Sequence, residues 1–235
     1  MKIGIIGAMK EEIQYFKEQT IDLRTEVIGK KEFLVGSWQD HEVVISQSGV
    51  GKVNGAITSQ MMIDVFKVEA IIFTGVAGAM NPSLEIGDVV ISTSCQQHDI
   101  DASSLGFAKG TIPMSGGPSD FVADENLVGK AYESAKEVLK EKNKVIKGKI
   151  LSGDQFISNK EEVRELRDMF HGDCVEMEGA AVAHVSYTSN IPYVIIRSIS
   201  DKANGDAPSN FESFVTESAK KSAEIVERVI SSIQP

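Results

Sequence analysis

Residues 193–200 read Tyr-Val-Ile-Ile-Arg-Ser-Ile-Ser, YVIIRSIS, and are followed at once by Asp201. A β-branched run this short and continuous is the pattern of a strand buried on both faces. Four more such runs stand upstream: KIGIIG at 2–7, EVVISQ at 42–47, AIIFTG at 70–75 and DVVIST at 88–93. Apolar residues recur at spacings of three and four from Gly51 to Phe66, Asn126 to Leu139, Glu178 to Tyr187 and Phe211 to Ile233, which predicts helices. Strands alternating with helices make an α/β sandwich. The polar face carrying Glu133, Lys136, Glu137 and Lys140 reads as solvated helix surface. No internal repeat or low-complexity tract divides the 235 residues, so a single domain, 1–235, is expected. The most loop-like stretch, GFAKGTIPMSGGPSD at 106–120, is too embedded for a linker and has the character of a lid or interaction element.

Composition narrows the partners. A formal charge of -10 repels a phosphate backbone and leaves no footprint for nucleic acid or anionic lipid, so small molecules or another subunit are expected. Cys95 and Cys174 stand far apart and outside any CxxC pattern, which fits free thiols in a reducing compartment. The apolar start runs straight into Lys10-Glu11-Glu12 without a signal-peptide core, and no apolar run reaches the roughly 20 residues of a membrane span. A cytoplasmic protein is expected.

Ligands of open α/β sheets gather beyond the carboxyl ends of the strands. That rule selects Gly7 to Glu12, Thr74-Gly75-Val76-Ala77-Gly78, Glu176-Met177-Glu178 and Asp201. Glycine-rich turns also occur wherever a backbone bends tightly, and the chain fails the phosphate-binding patterns: Gly49-Val50-Gly51-Lys52 lacks the upstream Gly of a P-loop, and Asn54 stands where GxGxxG needs glycine. A GxSxG elbow, an HExxH helix and a Cys/His ligand array are all missing from the sequence. His98-Asp99-Ile100-Asp101 offers metal-ligand atoms but reads better as a hydrogen-bonded turn, so no metal is expected there.

The carboxylates carry more. Asp201 ends a buried strand, where desolvation raises its pKa and keeps a proton available for general acid catalysis. Glu178 precedes a small-residue helix, where an ionised carboxylate can accept hydrogen bonds from two vicinal hydroxyls or simply cap the helix. Glu176 can project beside it or pair with a buried Arg197.

MKIGIIGAMKEEI, QSGVGKVNGA, TGVAGA, GDVVIS, HDIDA, SGDQFI, VEMEGAAVAHV and RSISDKAN occur in order across nearly the whole chain. Together they resemble the bacterial 5′-methylthioadenosine/S-adenosylhomocysteine nucleosidases of the purine nucleoside phosphorylase superfamily. The resemblance implies a three-layer α/β/α sandwich with a mixed, partly barrel-like central sheet, working as a homodimer on a nucleoside. It implies that Asp201 protonates adenine N7, that Glu178 holds the ribose hydroxyls and that Glu12 activates water. It further implies that Phe156 stacks on adenine, that the backbone of Ile157 reads the purine edge, and that Gly78 and Met177 touch substrate. Met9, Val50, Met177 and Phe211 match the pocket for the 5′-alkylthio group, whereas Leu105 and Pro113 match a segment that closes the neighbouring subunit's pocket. For each apolar residue, core packing is the alternative.

The chain departs from that pattern at Val76, where many relatives carry Ser, and at Lys10, Ala102 and Leu105. These changes bear on rate and 5′-substituent preference rather than on reaction class. A nucleoside phosphorylase needs concentrated positive charge for phosphate, yet no Arg lies in the glycine-rich turns. An aminofutalosine hydrolase shares the same three carboxylates. A nucleoside-binding protein without turnover needs no matched acid and base.

Overall fold

The computed structural model describes residues 1–140, 142–204 and 207–234, with no side-chain description at 207–210, 212 and 213. Ten strands and six helices are present among the described residues. In chain order they are β1 (Lys2–Gly7), α1 (Lys10–Gln19), β2 (Ile21–Ile28), β3 (Lys31–Trp38), β4 (His41–Gln47), α2 (Lys52–Asp64), β5 (Ala70–Ala79) and β6 (Val89–Gln97). A 3-10 turn at Ser103–Leu105 precedes β7 (Asp120–Val122), α3 (Glu125–Leu139), β8 (Val145–Ser152), α4 (Lys160–Phe170), β9 (Cys174–Glu176), α5 (Gly179–Thr188), β10 (Tyr193–Asp201) and α6 (Ala207–Ser232).

The continuous apolar runs do become the sheet's interior. All nine residues of β10 are buried, as are nine of ten in β5. β5, β10, β6, β8 and β9 close into a ring, because β10 pairs with both β5 and β6. The ring is mixed: β5–β10, β6–β8 and β8–β9 run parallel, whereas β6–β10 and β5–β9 run antiparallel. From β5 the sheet continues outward through β1, β4, β3 and β2. Helices α1, α3 and α6 cover one face, and α2 and α5 pack together over the other. This is the expected three-layer α/β/α sandwich with a partly barrel-like centre.

Four predicted helices match α2, α3, α5 and α6, the last starting before Phe211. Two more are present. In α4, Leu166 and Phe170 insert against Met80, Leu151 and Val175, while Asn159 caps the helix by accepting from the Glu161 and Glu162 N–H groups. In α1, Phe16 is fully buried beside Trp38. The loop expected at 106–120 ends by joining the sheet as β7, which pairs with β6.

Register brings the site together. Gly78 of β5 is the partner of both Asp201 on β10 and Val175 on β9. An irregularity between Ile199 and Asp201 turns the end of β10, a device that re-aims side chains near sites. Carboxyl ends of β1, β5, β9 and β10 therefore meet around one opening.

Candidate active site

Glu12 sits in the first turn of α1 and reaches back to the chain entering it. Its Oε2 accepts from the N–H groups of Ala8 (2.6 Å) and Met9 (3.0 Å), and its Oε1 accepts from the Val76 N–H at 3.2 Å. Glu at the third helical position commonly closes a helix start this way; here the same bonds aim the carboxylate into a cavity. Burial pushes its pKa up, opposed by the nearby Arg197 charge and the three backbone N–H groups.

Asp201 is almost wholly buried, and burial raises its carboxyl. The Ala203 N–H (2.7 Å to Oδ1) and the Ser200 hydroxyl (2.9 Å to Oδ2) oppose that rise. Only glycine fits opposite it: a Cβ on Gly78 would lie 2.9 Å from Asp201 Oδ1.

Glu178 occupies the N-cap position of α5 but makes no capping hydrogen bond. Its Oε1 instead accepts from the Gly51 N–H at 2.7 Å. Burial, reinforced by Glu176, raises its carboxyl to about 8, against the opposing pull of the Gly51 N–H and Arg197. The unliganded protein thus favours the protonated form at neutral pH. The physical reason is desolvation by burial, reinforced by a second acid two residues away.

That second acid is paired. Glu176 Oε2 lies 2.6 Å from Arg197 Nη2, and Glu176 also lines the cavity beside Glu178, so both accounts open for it from the sequence are observed. It also accepts from Ser152 Oγ and from the N–H groups of Glu178 and Gly179.

One cavity gathers Glu12, Glu178 and Asp201 with Met9, Val50, Gly78, Phe156, Ile157, Met177 and Phe211. Its remaining lining includes Ala8, Val76, Ala77, Gln155 and Ser200, and its lining residues include no Lys or Arg. Ala8 falls within the Gly7 to Glu12 stretch selected from sequence, whereas Gln155 and Ser200 were not singled out. Ala8 is detectable as the residue whose N–H an α1 first-turn Glu should bind; Gln155 and Ser200 are adjacent to recognised positions but carry no separate signal. Ile157 is buried, whereas Phe156 and Val50 are about half exposed at the rim, with the Phe156 and Phe211 rings edge to face at 5.9 Å. Leu105 and Pro113 do not line this cavity, and Leu105 is 68% exposed. The side chains of 207–210 lie outside the described residues.

His98 and its neighbours form no metal cluster among the described residues. Asp99 is engaged by Lys52 Nζ (2.6 Å) and the Asp154 N–H (2.9 Å), and Asp101 by Ser103. Cys95 and Cys174 are buried and unpaired with each other.

A model of the phosphorylase superfamily matches residues 2–231. The 5′-methylthioadenosine/S-adenosylhomocysteine nucleosidase of Staphylococcus saprophyticus is 41% identical over 233 residues, 98% of this chain and 100% of that protein. The nucleosidase of the same description from Neisseria meningitidis, solved with methylthio-immucillin-A, has a TM-score of 0.93 at 34% identity, with 99% of each chain covered. Futalosine hydrolase of Helicobacter pylori has a TM-score of 0.91 at 35% identity, covering 99% of this chain and 98% of that one. The chain belongs to the phosphorylase superfamily and, within it, to the 5′-methylthioadenosine/S-adenosylhomocysteine nucleosidases.

Proposed function

We propose that this protein hydrolyses the N-glycosidic bond of 5′-methylthioadenosine and S-adenosylhomocysteine, and of 5′-deoxyadenosine as a further substrate, releasing adenine and the corresponding ribose. The observation that carries the reading is the convergence of Glu12, Glu178 and Asp201 on one cavity with a mostly apolar lining. Asp201, whose carboxyl burial shifts toward the protonated form, donates a proton to adenine N7 as the C1′–N9 electrons leave with the base. Positive charge grows on the ribose. Glu178 accepts from the 2′ and 3′ hydroxyls, and those donors together with the developing oxocarbenium charge favour its ionised form. Water attacks C1′ and gives its proton to Glu12; Asp201 is then reprotonated and Glu12 deprotonated through solvent. Val76 contributes its backbone N–H to Glu12, which requires no side-chain hydroxyl.

Phe156 stacks on the purine, the Ile157 backbone reads its edge, and Gly78 leaves room beside Asp201. Met9, Val50, Met177 and Phe211 receive the thioether. A homodimer places the partner's loop over the half-exposed rim, which gives Leu105 and Pro113 their task. The reaction needs neither metal nor organic cofactor, and it fits a cytoplasmic role in recycling adenosylmethionine by-products and salvaging methionine. Among the described residues no helix is long and apolar enough to cross a membrane.

The test is incubation with methylthioadenosine in phosphate-free buffer, then with phosphate added, identifying products by mass. Adenine and free methylthioribose without phosphate support hydrolysis. Cleavage only with phosphate, giving the sugar 1-phosphate, would make it a phosphorylase, against a lining that offers no cation. The likeness to futalosine hydrolase favours one second reading, so aminofutalosine belongs in the same assay: cleavage of it alone would replace the proposed substrate.

A further inference from the structure

The two walls of the cavity come from distant parts of the chain. One is the turn into α2, where Gly51 (φ +100°) directs its N–H at Glu178 Oε1. The other is the segment after β8, which carries Phe156 and Ile157. Asp99, from the turn after β6, touches both. Its Oδ1 lies 2.6 Å from Lys52 Nζ and its Oδ2 accepts from the Asp154 N–H at 2.9 Å. Asp154 completes the loop, because its Oδ1 accepts from the Lys52 N–H at 2.8 Å.

We propose that Asp99 is a positioning residue that, through Lys52 and Asp154, locks the Gly51 turn to the Phe156–Ile157 segment and so sets the distance between the ribose and adenine subsites. This rests on the function proposed above for the assignment of those subsites. Three features support it. The Lys52 and Asp99 side chains are only 16% and 20% exposed, so their pair is shielded from the screening that weakens surface ion pairs. Burial pushes Asp99 up, but the hydrogen bonds from Lys52 and Asp154 together with the charges of Lys52 and His98 outweigh it and hold its carboxyl below the usual range. The fit is also tight, since a Cβ on Gly51 would lie 3.2 Å from Asp154 Oδ1. None of the three polar groups lines the cavity. Asp99 therefore acts on substrate through Gly51 and Phe156.

The experiment compares Asp99→Asn, Lys52→Met and the double variant with the wild-type protein, after melting curves establish that each is folded. Two quantities are read: kcat and KM for methylthioadenosine, and the Kd of adenine by calorimetry. Losing one charge-assisted hydrogen bond corresponds to about a tenfold weakening. The expected result is a roughly tenfold rise in KM and in the adenine Kd for each single variant, with kcat within about threefold, and a double variant no worse than either single. A general loss of structure would instead lower the active fraction, and with it kcat, leaving KM unchanged. Folded variants with KM and adenine Kd within about twofold of wild type, or single effects that multiply in the double, would overturn the lock. If Asp99→Asn does not fold, Lys52→Met decides alone. Adenine binding is read whether or not methylthioadenosine turns over, so failure of the lock is distinguishable from failure of the substrate assignment.

Discussion

Arg197 and Glu176 form a fully buried ion pair, Nη2 to Oε2 at 2.6 Å, with the guanidinium 4.0 Å above the Phe73 ring. Arg197 Nε has no hydrogen-bond partner, and Glu176 is the leading charge that offsets the desolvation of this cation, with Glu12 the next. A buried charge left without its partner costs about 3–5 kcal/mol. Glu176→Gln should therefore destabilise the protein by about that amount in urea unfolding, and adding Arg197→Met should recover a large part of the loss. A single variant as stable as wild type would show that the pair contributes nothing.

Gly75 stands between the pair and Glu12. A Cβ there would lie 2.5 Å from Glu12 Oε1 and 3.1 Å from Arg197 Nη1. Backbone donors at Ala8, Met9 and Val76 hold Glu12 from the other side, so the carboxylate has to swing away from its place. Displacement of a reacting group by 1 Å costs on the order of 100-fold in rate. Gly75→Ala should therefore lower kcat by about that factor while the folded fraction, read by circular dichroism, stays near wild type. Wild-type turnover would mean that Glu12 is not held where its hydrogen bonds put it.

If Asp201 is the acid and Glu12 the base, Asp201→Asn and Glu12→Gln each remove a proton-transfer group and keep its shape. General acid and base groups contribute about 100- to 10,000-fold. Both variants should lose at least about 100-fold in kcat while circular dichroism shows them folded. Near-normal rates in both folded variants would sink the assignment.

The legible parts of this fold are those where one physical demand dominates the local sequence. YVIIRSIS and AIIFTG read as strands because both faces are buried, leaving no polar alternation to confuse them. The hairpin of β2 and β3 escaped because IDLRTEVI is an outer strand, mostly exposed and rich in charge. Charge of that kind protects a sheet edge while erasing the apolar signal. The helices α1 and α4 were obscured in the same way, each burying little more than Phe16 or Leu166 and Phe170. In the site, carboxylates at strand ends are visible from position, burial suggests the acid role of Asp201, and the role of Glu12 comes from resemblance alone. Asp99, Lys52 and Asp154 meet across separations of 47 and 55 residues, a closeness no local pattern encodes.

Glu178 makes a prediction about stability whose sign follows from linkage. Burial and Glu176 raise its carboxyl from about 4.5 in the unfolded chain to about 8 in the folded protein. Between those values the folded state keeps a proton that the unfolded state releases. Stability attributable to Glu178 is therefore greatest below pH 4.5, falls as pH rises through this window and levels off above about 8. Glu178→Gln cannot ionise, yet its amide oxygen can still accept from the Gly51 N–H. In unliganded protein at fixed concentration, the melting temperature of Glu178→Gln minus that of wild type should be near zero at pH 4.5 and grow toward pH 8. For a chain of this length each kcal/mol corresponds to about 2–4 °C, so a gap of several degrees is expected at the alkaline end. The same variant should lose kcat/KM, because an amide cannot match a carboxylate toward two hydroxyls and a developing cation. A gap that stays flat across the window, or a variant less stable than wild type at pH 9, would show that Glu178 is not a strained acid in the empty site.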